Sequence, residues 1–183
     1  MRTKTHTPQE TQHTYSYSHH PPSLQGHAPK PTILLLHGFP STSYDWRHQI
    51  PYLSSLGYGI IAPDLLGYGA TSKPCDITAY KTKSMAAEII SILDAEGVDK
   101  VHAVGHDTGC TLLSRLADYF PERLLSCVFL DVPYMSPGVR FDLDTVNKVT
   151  RDILGFERFG YVGFFAMEGS GELLDRFVCF LFF

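Results

Sequence analysis

No apolar run in this sequence is long enough to cross a bilayer. The densest, Phe177 to Phe183, falls far short of the roughly 20 residues a spanning helix needs. Positive charge is not in excess either. Fifteen Lys and Arg against 19 Asp and Glu leave a formal net charge of -4, which argues against a nucleic-acid partner. The four cysteines, Cys75, Cys110, Cys127 and Cys179, show neither metal-ligand spacing nor a paired framework. They are expected to be buried free thiols in a reducing, cytoplasmic compartment. Arg2 and Lys4 are not followed by an apolar stretch, so no secretory signal is expected. There is no internal repeat and a single tryptophan, Trp46. What remains is an ordinary globular composition over 183 residues, enough for one domain with a sizeable core.

Within that length the pattern changes twice, which suggests an N-terminal hairpin and loop over residues 1–30, an α/β core over 31–134 and a helical segment over 135–183. Residues 14–18 alternate as a half-buried strand does, and residues 3–7 could pair with them as a frayed hairpin. Five histidines fall in this first segment (His6, His13, His19, His20, His27). Their spacing fits no metal site, so a solvated loop is expected. Thr32 to Leu36 is continuously apolar, as a strand buried on both faces is. The apolar positions of Ser41 to Gly57 predict a helix of roughly three turns ending at glycine. Ile60 to Asp64 predicts the next strand. Thr78 to Glu96 predicts an amphipathic helix with Met85, Ile89, Ile92 and Leu93 on one face and Gly97 as its stop. Strand Val101 to His106, helix Thr108 to Phe120 and strand Leu124 to Val132 follow. Alternating strands and helices predict an α/β fold with a mostly parallel sheet. Beyond Phe141 the chain is aromatic and helical, with Asp142, Asp144 and Asp152 near helix starts.

Gly105-His106-Asp107-Thr108-Gly109 stands where a strand hands over to a helix. Small residues two before and two after Asp107 have the spacing of a nucleophile elbow, in which the central side chain is exposed above the sheet. An elbow with Asp in place of Ser presents a nucleophile already ionised at neutral pH. It suits displacement at saturated carbon, with formation of an alkyl ester. The plainer alternative is a Gly-rich turn with Asp107 as an N-cap. The pentapeptide by itself leaves both open.

Further stretches resolve the choice by resemblance. His37-Gly38-Phe39-Pro40, the run Asp64 to Ser72, and the pentapeptide occur in the order found in epoxide hydrolases of the α/β-hydrolase fold. The sequence resembles that family from about residue 32 to about residue 175. The resemblance implies Asp107 as nucleophile and the backbone N–H groups of Phe39 and Thr108 as an oxyanion hole. His37, Gly38, Pro40, Gly105 and Gly109 would shape the loops, Gly38 by taking a conformation barred to other residues. Trp46 would be core, with a possible edge on the substrate pocket. Gly67, Tyr68, Gly69 and Ser72 would be turn residues, His106 would point away from the site and Tyr134 would be structural. Tyr161, within Phe159 to Phe165, resembles a lid tyrosine that protonates the departing alkoxide. A halide leaving group needs no such acid, so Tyr161 separates this reading from a haloalkane or fluoroacetate dehalogenase of the same architecture.

The resemblance also implies an activity: epoxide and water to vicinal diol, on a small apolar substrate, with no cofactor, metal, membrane or nucleic acid involved. It further implies two more strands, an acidic residue, a second lid tyrosine and a late catalytic histidine. All nine histidines here lie at or before His106. The expectation is therefore a C-terminally truncated hydrolase with an atypical tail, impaired in ester hydrolysis. A catalytically dead fragment serving as a binding module is the alternative from another class.

Overall fold

The computed structural model describes residues 2–23, 29–138 and 141–181. His27, Phe182 and Phe183 lie outside the described residues, as does the side chain of Cys179. The chain divides into two compact units, Met1–Pro137 and Gly138–Phe183.

The first unit is built on a six-stranded sheet: β1 (Arg2–His6), β2 (Tyr15–His20), β3 (Thr32–Leu36), β4 (Gly59–Pro63), β5 (Val101–His106) and β6 (Leu124–Leu130). Their order is β1-β2-β4-β3-β5-β6. The N-terminal hairpin joins antiparallel, with Tyr17 opposite Pro63, and the remaining pairs are parallel. Strand β3 is central and buried throughout, as its uninterrupted apolar sequence requires. Its side chains alternate between two cores. Leu34 and Leu36 pack with helices α2 (Thr82–Ala95) and α3 (Thr108–Tyr119). Ile33 and Leu35 pack with Trp46 and with Ile50 of helix α1 (Gln49–Ser55).

Several local expectations need correction. The helix expected over Ser41 to Gly57 is broken into a 3-10 turn, Ser43–Arg47, and α1. Pro51 explains the break, because in a continuous helix its ring would clash with the carbonyl of Arg47. The helix expected from Thr78 splits likewise at Lys81, which is extended. The hairpin is not frayed: Tyr15 and Tyr17 are buried. Nor do its histidines sit in a solvated loop. His6 contacts Ser91 Oγ at 2.9 Å, His13 Nδ1 donates to Glu88 at 2.7 Å, and His19 pairs with Glu96 at 3.2 Å. Glu88 and Glu96, both on or beside α2, are the reason. Tyr15 and Tyr17 also donate their phenolic protons to them, at 2.5 and 2.6 Å. Burial and these carboxylates push both phenols well above the ordinary tyrosine range. Cys75 is exposed rather than buried, because it falls in the loop after β4.

The second unit is helical: α4 (Leu143–Leu154), α5 (Gly160–Phe165) and α6 (Ser170–Leu181). Asp142 caps α4, accepting from Thr145 N and Oγ1 at 3.3 and 2.8 Å. Asp152 lies near the end of α4 rather than at a helix start. Among the described residues no helix is long and apolar enough to cross a membrane.

Candidate active site

Asp107 joins β5 to α3 with φ 50 and ψ -121. That left-handed conformation is costly for a residue with a Cβ, by about 1–3 kcal/mol, so the surroundings must hold it. Two bonds from the turn to β6 do so. The Asp107 N–H donates to the Leu130 carbonyl at 3.2 Å, and the Cys110 thiol donates to the same oxygen at 3.3 Å. The Asp107 side chain makes no capping bond to α3. Its Oδ1 instead accepts the N–H of Phe39 at 2.8 Å. The N-cap alternative therefore lacks its defining bond, and the carboxylate is turned toward the loop after β3. Thr108 opens α3, where the first amides have no acceptor within the helix.

The contact with Phe39 depends on close approach. A Cβ on Gly38 would lie 2.5 Å from the Asp107 Cβ and 2.8 Å from Oδ1. Gly38 does not have positive φ, so the need is for space and not, as expected, for a special conformation. A Cβ on Gly109 would lie 2.4 Å from the Leu36 carbonyl oxygen, so α3 can meet the end of β3 only with glycine there. The Phe39–Pro40 peptide is cis.

His37 is fully buried and braces two loops. Its Nε2 accepts the Leu65 N–H at 2.9 Å, and its Nδ1 donates to the Gly38 carbonyl at 2.8 Å. This assigns the proton to Nδ1. Burial lowers the pKa, against smaller opposing effects from the Gly38 carbonyl and the Asp64 and Asp45 charges. A neutral ring with both nitrogens engaged orients the loop. On the second loop Asp64 accepts from Ser43 N at 2.9 Å and Ala70 N at 3.1 Å. Ser72 Oγ accepts the Thr14 N–H at 2.9 Å.

Tyr68 lies in a turn, as expected, its N–H donating to the Leu65 carbonyl at 2.9 Å, and its position also relates it to Asp107. Its ring meets His37 edge-on at 5.2 Å. Burial, and then the Asp107 charge, raise its phenol pKa. Tyr68 also lines a cavity of about 530 Å³ with Leu66, Tyr80, Met85, Thr108 and Thr111. The Gly-Tyr-Gly sequence signals the turn but not the pocket wall. Trp46 is buried in the opposite core with no partner for Nε1. His106 ends β5 and Tyr134 donates to Asp118 at 2.6 Å. Tyr161 belongs to the second unit, where its ring lies 6.2 Å from Phe159 and 6.0 Å from Phe165. Among the described residues, no three His, Cys, Asp or Glu side chains converge as metal ligands.

Residues 31–167 match the family described as alpha/beta hydrolase fold. Epoxide hydrolase 3 of Siraitia grosvenorii is 42% identical over 113 residues, covering 61% of this chain and 36% of that protein. Epoxide hydrolase B of Mycobacterium tuberculosis is 34% identical over 154 residues, covering 81% of this chain and 42% of that protein. Among solved structures, Epoxide Hydrolase A from Mycobacterium thermoresistibile superposes with a TM-score of 0.70 at 30% identity, over 92% of this chain and 50% of that one. An epoxide hydrolase from Vigna radiata gives a TM-score of 0.67 at 34% identity, over 84% of this chain and 45% of that one. The chain thus spans less than half the length of these curated relatives. The match over most of its length, together with the mixed sheet and the Asp107 turn, means that the chain belongs to the α/β-hydrolase fold family.

Proposed function

We propose that this chain carries the nucleophile half of an epoxide hydrolase-type reaction on small apolar epoxides. Asp107 attacks an oxirane carbon, a C–O bond forms as the ring C–O bond breaks, and an alkyl ester results. The proton for the departing alkoxide comes from the Tyr161 phenol. The N–H groups of Phe39 and Thr108 hold the carboxylate and, in ester hydrolysis, the oxyanion, with each donor worth roughly 3 kcal/mol. The observation that carries this reading is the 2.8 Å bond from Phe39 N–H to Asp107 Oδ1 in a strained strand-to-helix turn. Similarity to proteins named epoxide hydrolase supports the substrate class.

No histidine follows His106 in these 183 residues. Hydrolysis of the ester has no base of the usual kind within this chain, so the ester should accumulate. The turn acts as a nucleophile elbow, residues 138–181 as part of a lid, and the free thiols of Cys75, Cys110 and Cys127 fit a reducing cytoplasmic setting.

Intact-mass measurement after incubation with styrene oxide tests the proposal. A stable one-equivalent adduct, mapped to Asp107 and lost in Asp107→Asn, supports it. No adduct, or the same adduct in both proteins, removes Asp107 from the reaction.

A further inference from the structure

Three side chains on one face of α4 meet three consecutive residues of the segment that follows it. Asn147 Oδ1 accepts the Phe159 N–H at 2.9 Å. Thr150 Oγ1 accepts the Arg158 N–H at 3.1 Å. Arg151 pairs with Glu157. Positions 147, 150 and 151 share a helix face. The segment runs back along that face, so the pairs form in order, from 151 with 157 to 147 with 159. Gly155, at φ 81, makes the reversal.

Neither acceptor is there by default. Asn147 is buried, and a buried amide in a helix interior costs free energy unless its polar atoms are satisfied. Thr150 sends its own proton to the carbonyls of Val146 and Asn147, at 2.9 and 3.1 Å, which leaves its oxygen to accept from Arg158.

What these bonds hold is the start of α5. That helix has six residues, two of them glycine (Gly160 and Gly163), and Phe159 gives it no side-chain cap. So short a helix has too little propensity to set its own direction. Its first turn closes from Val162 N–H to the Phe159 carbonyl at 3.0 Å, so the anchored residue is the one on which the helix begins. The Phe159 ring is packed edge-on against Phe141 at 5.3 Å and also contacts Tyr161.

We propose that Asn147 and Thr150 are positioning residues for the Tyr161 phenol, clamping the backbone from which α5 begins. The claim rests on the acid role given to Tyr161 above. In that step the phenol proton passes to the alkoxide as the ring C–O bond breaks, so a misaimed phenol slows opening of an epoxide. A bromide leaves with its bonding electron pair and takes no proton.

The test is the rate of ester formation at Asp107, followed by peptide mass mapping, with styrene oxide and in parallel with a primary alkyl bromide. Asn147→Leu and Thr150→Val should each slow the epoxide reaction by about tenfold, a fraction of what a general acid supplies, and the bromide reaction by less than about twofold. Asn147→Asp and Thr150→Ser keep the acceptor and should restore the epoxide rate. Equal losses with both reagents, or no loss with the epoxide, overturn the proposal. A wild-type chain that forms no ester with either reagent overturns the role of Asp107 instead. The clamp is then judged by NMR of 13C-labelled tyrosine, with Tyr161 identified through Tyr161→Phe. Movement of its ring resonance to the free-tyrosine position in Asn147→Leu supports the clamp, and an unmoved resonance overturns it.

Discussion

The backbone N–H of Phe39 donates to Oδ1 of Asp107 across a gap of 68 residues in sequence. The contact exists because Gly38 lets two loops approach until there is no room for a Cβ. Gly38→Ala should push the loop off Asp107 and slow ester formation by about 100-fold, the lower end of what loss of one such donor costs. Stability should fall by about 1–3 kcal/mol, as for other overpacked sites. Mass mapping and urea unfolding measure the two effects separately, and an alanine variant that reacts at the wild-type rate would show the contact to be incidental.

His37→Leu tests the brace. The Leu65 N–H loses its acceptor, whereas the Gly38 carbonyl keeps bonds from Ser41 N and Oγ. The expected cost is about 2–4 kcal/mol, chiefly from the orphaned amide. The wild type should also lose stability as pH falls below the unfolded histidine value of about 6.5, because the unfolded chain then binds a proton that the buried ring resists. The leucine variant should lack that part of the acid slope, as read from urea midpoints between pH 7.5 and 5.

Glu96 makes the opposite kind of pH contribution. Burial pushes its pKa up, but bonds from Lys4 and Tyr17 and the nearby His19 outweigh this and hold it below the usual value of 4.5. Its stabilising effect is complete above that value and fades as pH drops through the lowered one. Glu96→Gln should cost about 1 kcal/mol at neutral pH and flatten the stability profile below pH 4.5. Hydrogen exchange should show the loss concentrated in β1 and β2.

Among the described residues strand β6 pairs with β5 alone and exposes Leu125, Val128 and Leu130. An apolar edge with no charge invites pairing between molecules. Val128→Lys should reduce light scattering of concentrated solutions of the 183-residue chain and change the free energy of unfolding by less than about 0.5 kcal/mol. Unchanged scattering would place any association elsewhere.

Periodicity and turn residues were enough to read the parallel core, since Thr32 to Leu36 can be little else and Gly97 and Pro121 mark where helices end. The site was readable where chemistry is local: Asp107, Phe39 and the glycines between them. What escaped depended on distant partners. Glu88 sits within an apolar helix face, and only the fold shows that His13 and Tyr15, more than 70 residues earlier, satisfy it. The histidines around it therefore looked solvated. The helix break was readable from Pro51 and was outweighed by the apolar spacing. The clamp of Asn147 and Thr150 left no trace in hydrophobic pattern, because its acceptors bind backbone, and backbone is the same for every residue.

Both bonds from the Asp107 turn to β6 end on the carbonyl of Leu130, the residue that closes that strand. The reactive geometry thus depends on a strand that follows Asp107 in the chain. A chain emerging from the ribosome can make the strand, the glycines and the aspartate, yet cannot hold the turn closed until β6 has docked. Reactivity at Asp107 would then report the docking of β6, and an epoxide probe could time that event during synthesis.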